Sequence, residues 1–146
     1  MIQEKITWHH CHDQGNKLPF NPAALWLWGQ PIVVNEFDAV VFVGGFGSSE
    51  YFDNPVARKI AKEGLDQDKI LAAICLAPRI LANSGVLKGK KVTCFSSVRK
   101  DIKAKGAMVS GEMVERDGKI ITGNGPSAST KFGETIASAL SEQRGR

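Results

Sequence analysis

The 146-residue sequence predicts one α/β domain, a sandwich built on a mostly parallel central sheet. Residues 38–43 (DAVVFV) and 69–75 (KILAAIC) are almost entirely apolar, as expected of strands buried on both faces. A helix-like segment separates them, and a strand, a helix and a strand in this order form a βαβ unit. The same alternation then continues along the chain, which is typical of helices packed on a parallel sheet.

The first helix is predicted over residues 53–64 (DNPVARKIAKEG). Asp53 or Asn54 can cap its N-terminus, and Pro55 suits the first helical position. Gly64 is expected to end this helix.

The elements after residue 75 continue the alternation. Gly85 is expected to end the second helix, and Asp117 and Gly118 are expected to form a two-residue hairpin turn. The predicted helices cover residues 77–84, 98–106 and 127–143, and the predicted strands lie at residues 90–95 and within 107–125.

The first 36 residues do not follow this rhythm. Residues 5–12 (KITWHHCH), 25–28 (LWLW) and 31–35 (PIVVN) can form strands, but no helix of useful length is predicted between them. We therefore divide the chain into an atypical N-terminal segment, residues 1–36, and a main domain, residues 37–146. The segment is expected to form strands, to mediate oligomerisation or to replace a missing first βαβ unit.

Charge and apolar patterning exclude two classes of partner. The net charge is +4, but the basic residues are dispersed among acidic ones, so neither a nucleic-acid footprint nor such a partner is predicted. No apolar run is long enough to span a bilayer, and no membrane partner is expected. The first residues lack the apolar core of a signal peptide, and the three cysteines show no paired spacing, so we expect a cytoplasmic protein.

Cys75 lies at the end of a predicted buried strand, immediately before a predicted helix. At such a turn the side chain stands above the carboxyl edge of the sheet, and we expect the N-terminus of the helix to lower the pKa of the thiol. Gly44 and Gly45 end the neighbouring strand, so one of their N–H groups and that of Leu76 could form an oxyanion hole. The alternative is a small buried apolar side chain that happens to contain sulfur.

Two further groups of residues carry weaker signals. His10 and His12 share one face of a predicted strand and are a weak metal-ligand pair; a polar stretch without a ligand is preferred, and neither a metal nor a cofactor is expected. Cys94 is expected to be a buried small side chain, with the alternative that it resolves an oxidised Cys75.

Several motifs in this order resemble the ThiJ/PfpI superfamily, which contains the PfpI-type intracellular proteases and the Parkinson-associated deglycase-like proteins and is related to class I glutamine amidotransferases. They are "DAVVFVGGFGS", "AAICLAP", "GVLKGKKVTCF", "VERDGKIITGNGP" and the last helix, within residues 37–142. The resemblance implies a flavodoxin-like sandwich and a homo-oligomer, a dimer or higher. It also implies a nucleophile-elbow cysteine at Cys75, oxyanion-hole amides at Gly44 or Gly45 and at Leu76, and a loop bordering the cysteine pocket at Asn124, Gly125 and Pro126.

Two departures from the family pattern concern the groups that activate the cysteine. PfpI-type proteases have a histidine directly after it, and Leu76 here disfavours a Cys-His protease. The deglycase-like branch uses a glutamate after the first strand, and neither Glu4 nor Glu36 lies in a matching motif. That first strand lies inside the family's sheet, so either residues 1–36 or another chain must fill its place.

The sequence leaves open whether the protein is an enzyme. The first hypothesis is a reactive elbow cysteine that performs glyoxalase-, deglycase- or amide-hydrolase-type chemistry on small carbonyl substrates. The alternative is a non-catalytic redox- or stress-sensing protein in which Cys75 is oxidised reversibly.

Overall fold

The computed structural model describes residues 33–145 in full and, before them, the backbone of three short strands. The strands are β1 (Ile6–His9), β2 (Trp26–Leu27), β3 (Gln30–Pro31), β4 (Ala39–Val43), β5 (Ile70–Ile74), β6 (Lys91–Val92), β7 (Met108–Val109), β8 (Val114–Asp117) and β9 (Ile120–Gly123). The helices are α1 (Pro55–Asp66), α2 (Pro78–Ser84), α3 (Arg99–Ala104) and α4 (Ser129–Arg144).

The central sheet has five strands in the order β1-β4-β5-β9-β8. The first four are parallel, and β8 joins β9 as the antiparallel arm of a hairpin. The predicted α/β fold with a mostly parallel sheet is confirmed. Since the carboxyl ends of β4, β5 and β9 meet at one edge, the residues that follow these strands come together there.

Each face of the sheet is buried under helices. On one face Val41, Ala72 and Ile121 pack with residues of α4 such as Phe132. On the other face Leu71 and Ala73 pack with residues of α1, α2 and α3. Every residue of β5 is buried, which explains why its sequence is apolar throughout rather than alternating.

Helix α1 begins as predicted and ends later than predicted. The Asn54 side chain accepts hydrogen bonds from the N–H groups of Val56 and Ala57, at 2.9 and 3.1 Å. The prediction that Gly64 ends the helix is wrong: α1 continues to Asp66. A Cβ on Gly64 would lie 3.5 Å from Leu71 Cδ1, an ordinary packing distance, and the residue is buried inside the helix.

The strand β1 lies parallel to β4, with Ile6 opposite Ala39 and His9 opposite Phe42. A segment of the same chain therefore lies beside β4. Whether it replaces the first strand of the family, or another chain does, stays a prediction. The division at residue 36 stays a prediction, as does the oligomer. Within the described part of the chain, no helix is long and apolar enough to cross a membrane.

The short ribbon of β6 and β7 is attached to the central sheet through side chains. The buried N–H of Thr93 donates to Thr122 Oγ1 at 2.9 Å, and Thr93 Oγ1 donates to the carbonyl of Glu112 at 2.7 Å. This is why the strand predicted over residues 90–95 ends at Val92: the next N–H bonds a side chain rather than a ladder carbonyl. The β8–β9 turn lies one residue later than predicted. Its two loop residues are Gly118, at φ 62°, and Lys119, and Asp117 is the last residue of β8.

Replacing Thr122 by valine should therefore destabilise the fold. The change keeps the shape of a fully buried side chain but leaves the Thr93 N–H unpaired, which should lower the free energy of unfolding by about 1–3 kcal/mol. Urea denaturation measures this. The matched control is Thr135→Val on the exposed side of α4, which should change stability by no more than about 0.5 kcal/mol. Equal stability of the two variants would contradict the role given to Thr122.

Candidate functional site

The backbone at Cys75 adopts a left-handed conformation between β5 and α2. Its φ is 65°, and only one other non-glycine residue of the described part, Asp68, has a positive φ. For a residue with a side chain this conformation costs about 1–2 kcal/mol, so the surrounding structure must hold it.

Hydrogen bonds from two other parts of the chain hold this turn. The Cys75 N–H donates to the carbonyl of Gly123, at the end of β9, at 2.9 Å. The Cys75 carbonyl accepts from the N–H of Phe95, which follows β6, also at 2.9 Å. Both backbone polar groups of Cys75 are thus paired with residues far away in sequence.

Gly44 lies directly against the turn. A Cβ at this position would lie 2.6 Å from Leu76 N, 2.7 Å from the Ile74 carbonyl oxygen and 3.0 Å from Cys75 Cβ. Only glycine fits so close to another backbone. The structure therefore brings Gly44, Cys75 and Leu76 together, as the sequence predicts.

Gly45 begins the 3₁₀ turn Phe46–Tyr51 that leads away from this edge. Its carbonyl accepts from the N–H of Ser48 at 3.0 Å and from Ser48 Oγ at 2.6 Å. These bonds make the carbonyl of Gly45 part of the turn, so what Gly45 can offer to a ligand is its N–H group.

The Cys75 thiol is half-buried and packs against the apolar cluster beneath α4. Burial raises the pKa of the Cys75 thiol above its ordinary value of 9.0, and a hydrogen bond from the Leu76 N–H opposes this rise. We expected the helix to lower the pKa of the Cys75 thiol, but in the described part of the chain burial outweighs it and the pKa is raised. Between residues 33 and 145, no charged side chain contributes to this shift.

Burial outweighs the helix here, and the first turn of α2 can oppose it only weakly because most of its N–H groups are already used. The Ala77 N–H donates to Ile74 O, Pro78 has none, and the Arg79 N–H donates to Leu76 O. The Leu76 N–H alone is left for the sulfur, so the N-terminus of this seven-residue helix gives the thiolate little stabilisation.

Cys94 is a small buried side chain, as expected. Its side chain packs in the cluster beneath α1, α2 and α3, across the sheet from the cluster that contacts Cys75. Burial raises the pKa of Cys94 to about 11, although Arg99 and Lys103 oppose the rise. Both thiols are free, and their packing on opposite faces disfavours Cys94 as a resolving cysteine.

The loop after β9 lies at the same edge as Cys75. The Asn124 N–H donates to the Met113 carbonyl at 2.9 Å, and a Cβ on Gly125 would lie 3.5 Å from the ring of Phe95. Pro126 begins the 3₁₀ turn Pro126–Ala128 that leads into α4. The predicted loop residues are therefore close to the Cys75 turn, and whether they contact a substrate stays a prediction.

One further expectation concerns a metal site. His10 and His12 lie outside the described residues, and the described ones contain no group of three side chains suited to hold a metal ion.

Sequence reasoning missed Phe95, whose N–H donates to the Cys75 carbonyl. Its position just beyond β6 was the available signal, because residues that follow strands gather at one edge.

The left-handed turn predicts an unusual order of stabilities at position 75. Cys75→Gly should be more stable than Cys75→Ala by about 1 kcal/mol, because glycine adopts φ 65° without strain. Urea denaturation of both variants measures the difference. Position 82, a buried site inside α2, is the control: the native protein with Ala82 should be more stable than Ala82→Gly. If Cys75→Ala were more stable than Cys75→Gly, the backbone strain at Cys75 would be contradicted.

Comparison with known proteins supports the family that the motifs suggest. The model of the DJ-1/PfpI family matches residues 30–139. An uncharacterized protein of Methanocaldococcus jannaschii is 36% identical over 109 residues, 73% of this chain and 53% of the relative. The deglycase PfpI of Pyrococcus furiosus is 35% identical over 92 residues, 63% of this chain and 55% of the relative.

Comparison with solved structures points to the same family. A ThiJ/PfpI domain protein from Brachyspira murdochii superposes with a TM-score of 0.75 at 36% identity, covering 76% of this chain and 64% of that one. The chain spans about half the length of the curated relatives. Since the family model covers most of the chain and the sheet has the flavodoxin-like arrangement of the solved relative, the chain belongs to the DJ-1/PfpI family.

Proposed function

We propose that the protein is a cysteine-dependent enzyme that acts on small carbonyl compounds, with Cys75 as the nucleophile of an elbow. The observation that carries this proposal is the left-handed Cys75 turn at the carboxyl end of β5, with Gly44 packed against Leu76. A relative named as a deglycase supports the same chemistry.

In the first step the Cys75 sulfur adds to the carbonyl carbon of the substrate. A C–S bond forms, the π pair of the C=O bond moves onto oxygen, and this oxygen takes up the proton that the thiol releases. The product is a hemithioacetal, or a hemithioketal from a ketone, and no co-reactant is needed. The Leu76 N–H, together with that of Gly44 or Gly45, would stabilise the negative charge that develops on oxygen.

The surroundings of the thiol favour a strongly electrophilic carbonyl over an amide. Cleavage of an amide requires an acid that protonates the departing nitrogen, and Leu76 cannot supply a proton. A 2-oxoaldehyde such as methylglyoxal needs no such acid in the addition step. We place the substrate beside Asn124, Gly125 and Pro126, at the edge where Cys75 ends β5.

A redox sensor is the other candidate. Burial, which raises the pKa of the Cys75 thiol, weighs against both roles because both need the thiolate. The relative named as a deglycase favours the enzyme. The homo-oligomer and the cytoplasmic location stay predictions.

The raised pKa predicts a slow thiol at neutral pH. The rate of alkylation of Cys75 by iodoacetamide should climb with pH to a midpoint above 9.0, because thiolate is the reactive form. Mass spectrometry of the Cys75 peptide measures the rate separately from the other cysteines. A midpoint below 9.0 would contradict the raised pKa.

The reaction itself is tested by methylglyoxal consumption. Cys75→Ser should lose at least about 100-fold in kcat/KM, because the hydroxyl is a far weaker nucleophile in this setting. Cys94→Ala is the matched control and should keep the wild-type rate, since Cys94 packs on the opposite face of the sheet. Equal rates for wild type and Cys75→Ser would overturn the proposal. A protein without turnover whose Cys75 is oxidised reversibly by peroxide would be a sensor instead.

A further inference from the structure

We propose that the backbone N–H of Phe95 is a positioning group for the Cys75 site, because its bond to the Cys75 carbonyl sets the direction of the Leu76 N–H. The consequence for catalysis depends on the proposed function, but the geometry does not.

The argument begins with the peptide bond between Cys75 and Leu76. A peptide group is planar, and in its trans form the C=O of one residue and the N–H of the next point in opposite directions. The Cys75 carbonyl accepts from the Phe95 N–H at 2.9 Å. Once that carbonyl is held, the Leu76 N–H must point the opposite way, and there it donates to the Cys75 sulfur.

The alternative is a flipped peptide. Rotation of this one plane would turn the Leu76 N–H away from the sulfur and bring the Cys75 carbonyl oxygen toward it. The site would then lose an amide that lowers the pKa of the thiol, together with one donor to a developing oxyanion. The Phe95 N–H opposes this flip because the flipped carbonyl could no longer accept from it.

Phe95 is itself held firmly enough to act in this way. Two residues earlier, the Thr93 N–H is fixed to the fully buried Thr122 side chain. On the other side, the Phe95 carbonyl accepts from the Val98 N–H at 3.2 Å and begins a 3₁₀ turn. The amide of Phe95 is thus anchored on both sides by bonds that do not involve Cys75.

The backbone of Phe95 allows a direct test by proline. Its φ of −63° is the angle that the proline ring imposes, so Phe95→Pro removes the N–H with little change of conformation. Phe95→Ala is the first control, because it removes the ring and keeps the N–H. Ser96→Pro is the second, because it places proline at the first position of the 3₁₀ turn Ser96–Val98 and spares the Phe95 N–H.

The readout is the pH midpoint of Cys75 alkylation, which a purely structural role would leave unchanged. In Phe95→Pro the midpoint should rise by about half a unit or more, since one neutral hydrogen bond is worth roughly a factor of five in an equilibrium. Phe95→Ala and Ser96→Pro should keep the wild-type midpoint. Urea denaturation of each variant shows that it is folded at the pH values used.

If Phe95→Pro does not fold, an amide-to-ester substitution at residue 95 removes the same N–H and keeps the phenyl ring. An unchanged midpoint in either folded variant would overturn the inference. The test needs no turnover: a raised midpoint in a protein that does not consume methylglyoxal would overturn the proposed function and leave the positioning role standing. Cys75-dependent turnover with an unchanged midpoint would overturn the positioning role alone.

Discussion

The structure of the site depends on the left-handed backbone of Cys75. A φ of 65° costs about 1–2 kcal/mol for a residue with a side chain. Two hydrogen bonds from other parts of the chain, each worth about 1 kcal/mol, offset this strain. In one, the Phe95 N–H donates to the Cys75 carbonyl; in the other, the Cys75 N–H donates to the Gly123 carbonyl. The turn therefore depends on the segments that contain Phe95, after β6, and Gly123, at the end of β9. The site is therefore a product of the whole fold and not of the local sequence.

Glycine makes this convergence possible at two positions around the turn. Gly44 leaves the space that the backbone of residue 76 occupies, because a Cβ there would lie 2.6 Å from Leu76 N. Gly123 leaves the space for Ile74, since its Cβ would lie 2.9 Å from Ile74 Cγ1 and 3.2 Å from Phe132 Cδ2. Burial of the Ile74 side chain contributes about 1.5–3 kcal/mol, so packing beneath α4 helps to hold the end of β5 in place.

The features that the sequence predicts correctly are those encoded by local pattern. The apolar run before Cys75 predicts β5, Asn54 and Pro55 predict the start of α1, and the order of strands predicts that Gly44 meets Leu76. The pattern does not reveal that Gly64 lies inside a helix, because glycine is the residue that most often follows a helix end, whereas here it is buried in the last turn of α1.

The prediction of a low thiol pKa is wrong for a similar reason. A helix after a cysteine favours thiolate only when its first N–H groups are free, and here those of Ala77 and Arg79 already bond carbonyls. Which groups are free depends on the exact turn geometry, and the sequence pattern does not specify it. The contact between Phe95 and Cys75 joins residues 20 positions apart. The order of the strands indicates that the two segments meet at one edge of the sheet, but not which backbone groups bond there.

The raised pKa of the Cys75 thiol should slow its attack on a carbonyl only modestly. Each unit lowers the fraction of thiolate at neutral pH about tenfold but raises the nucleophilicity of that thiolate about threefold, so the net loss is only about threefold. Removing one oxyanion-hole donor, in contrast, typically costs 10²–10³ in kcat. If Cys75 attacks carbonyls, the direction of the Leu76 N–H therefore matters more than the acidity of the thiol. On the proposed positioning role, the hydrogen bond from Phe95 is then a contact through which the fold controls the chemistry.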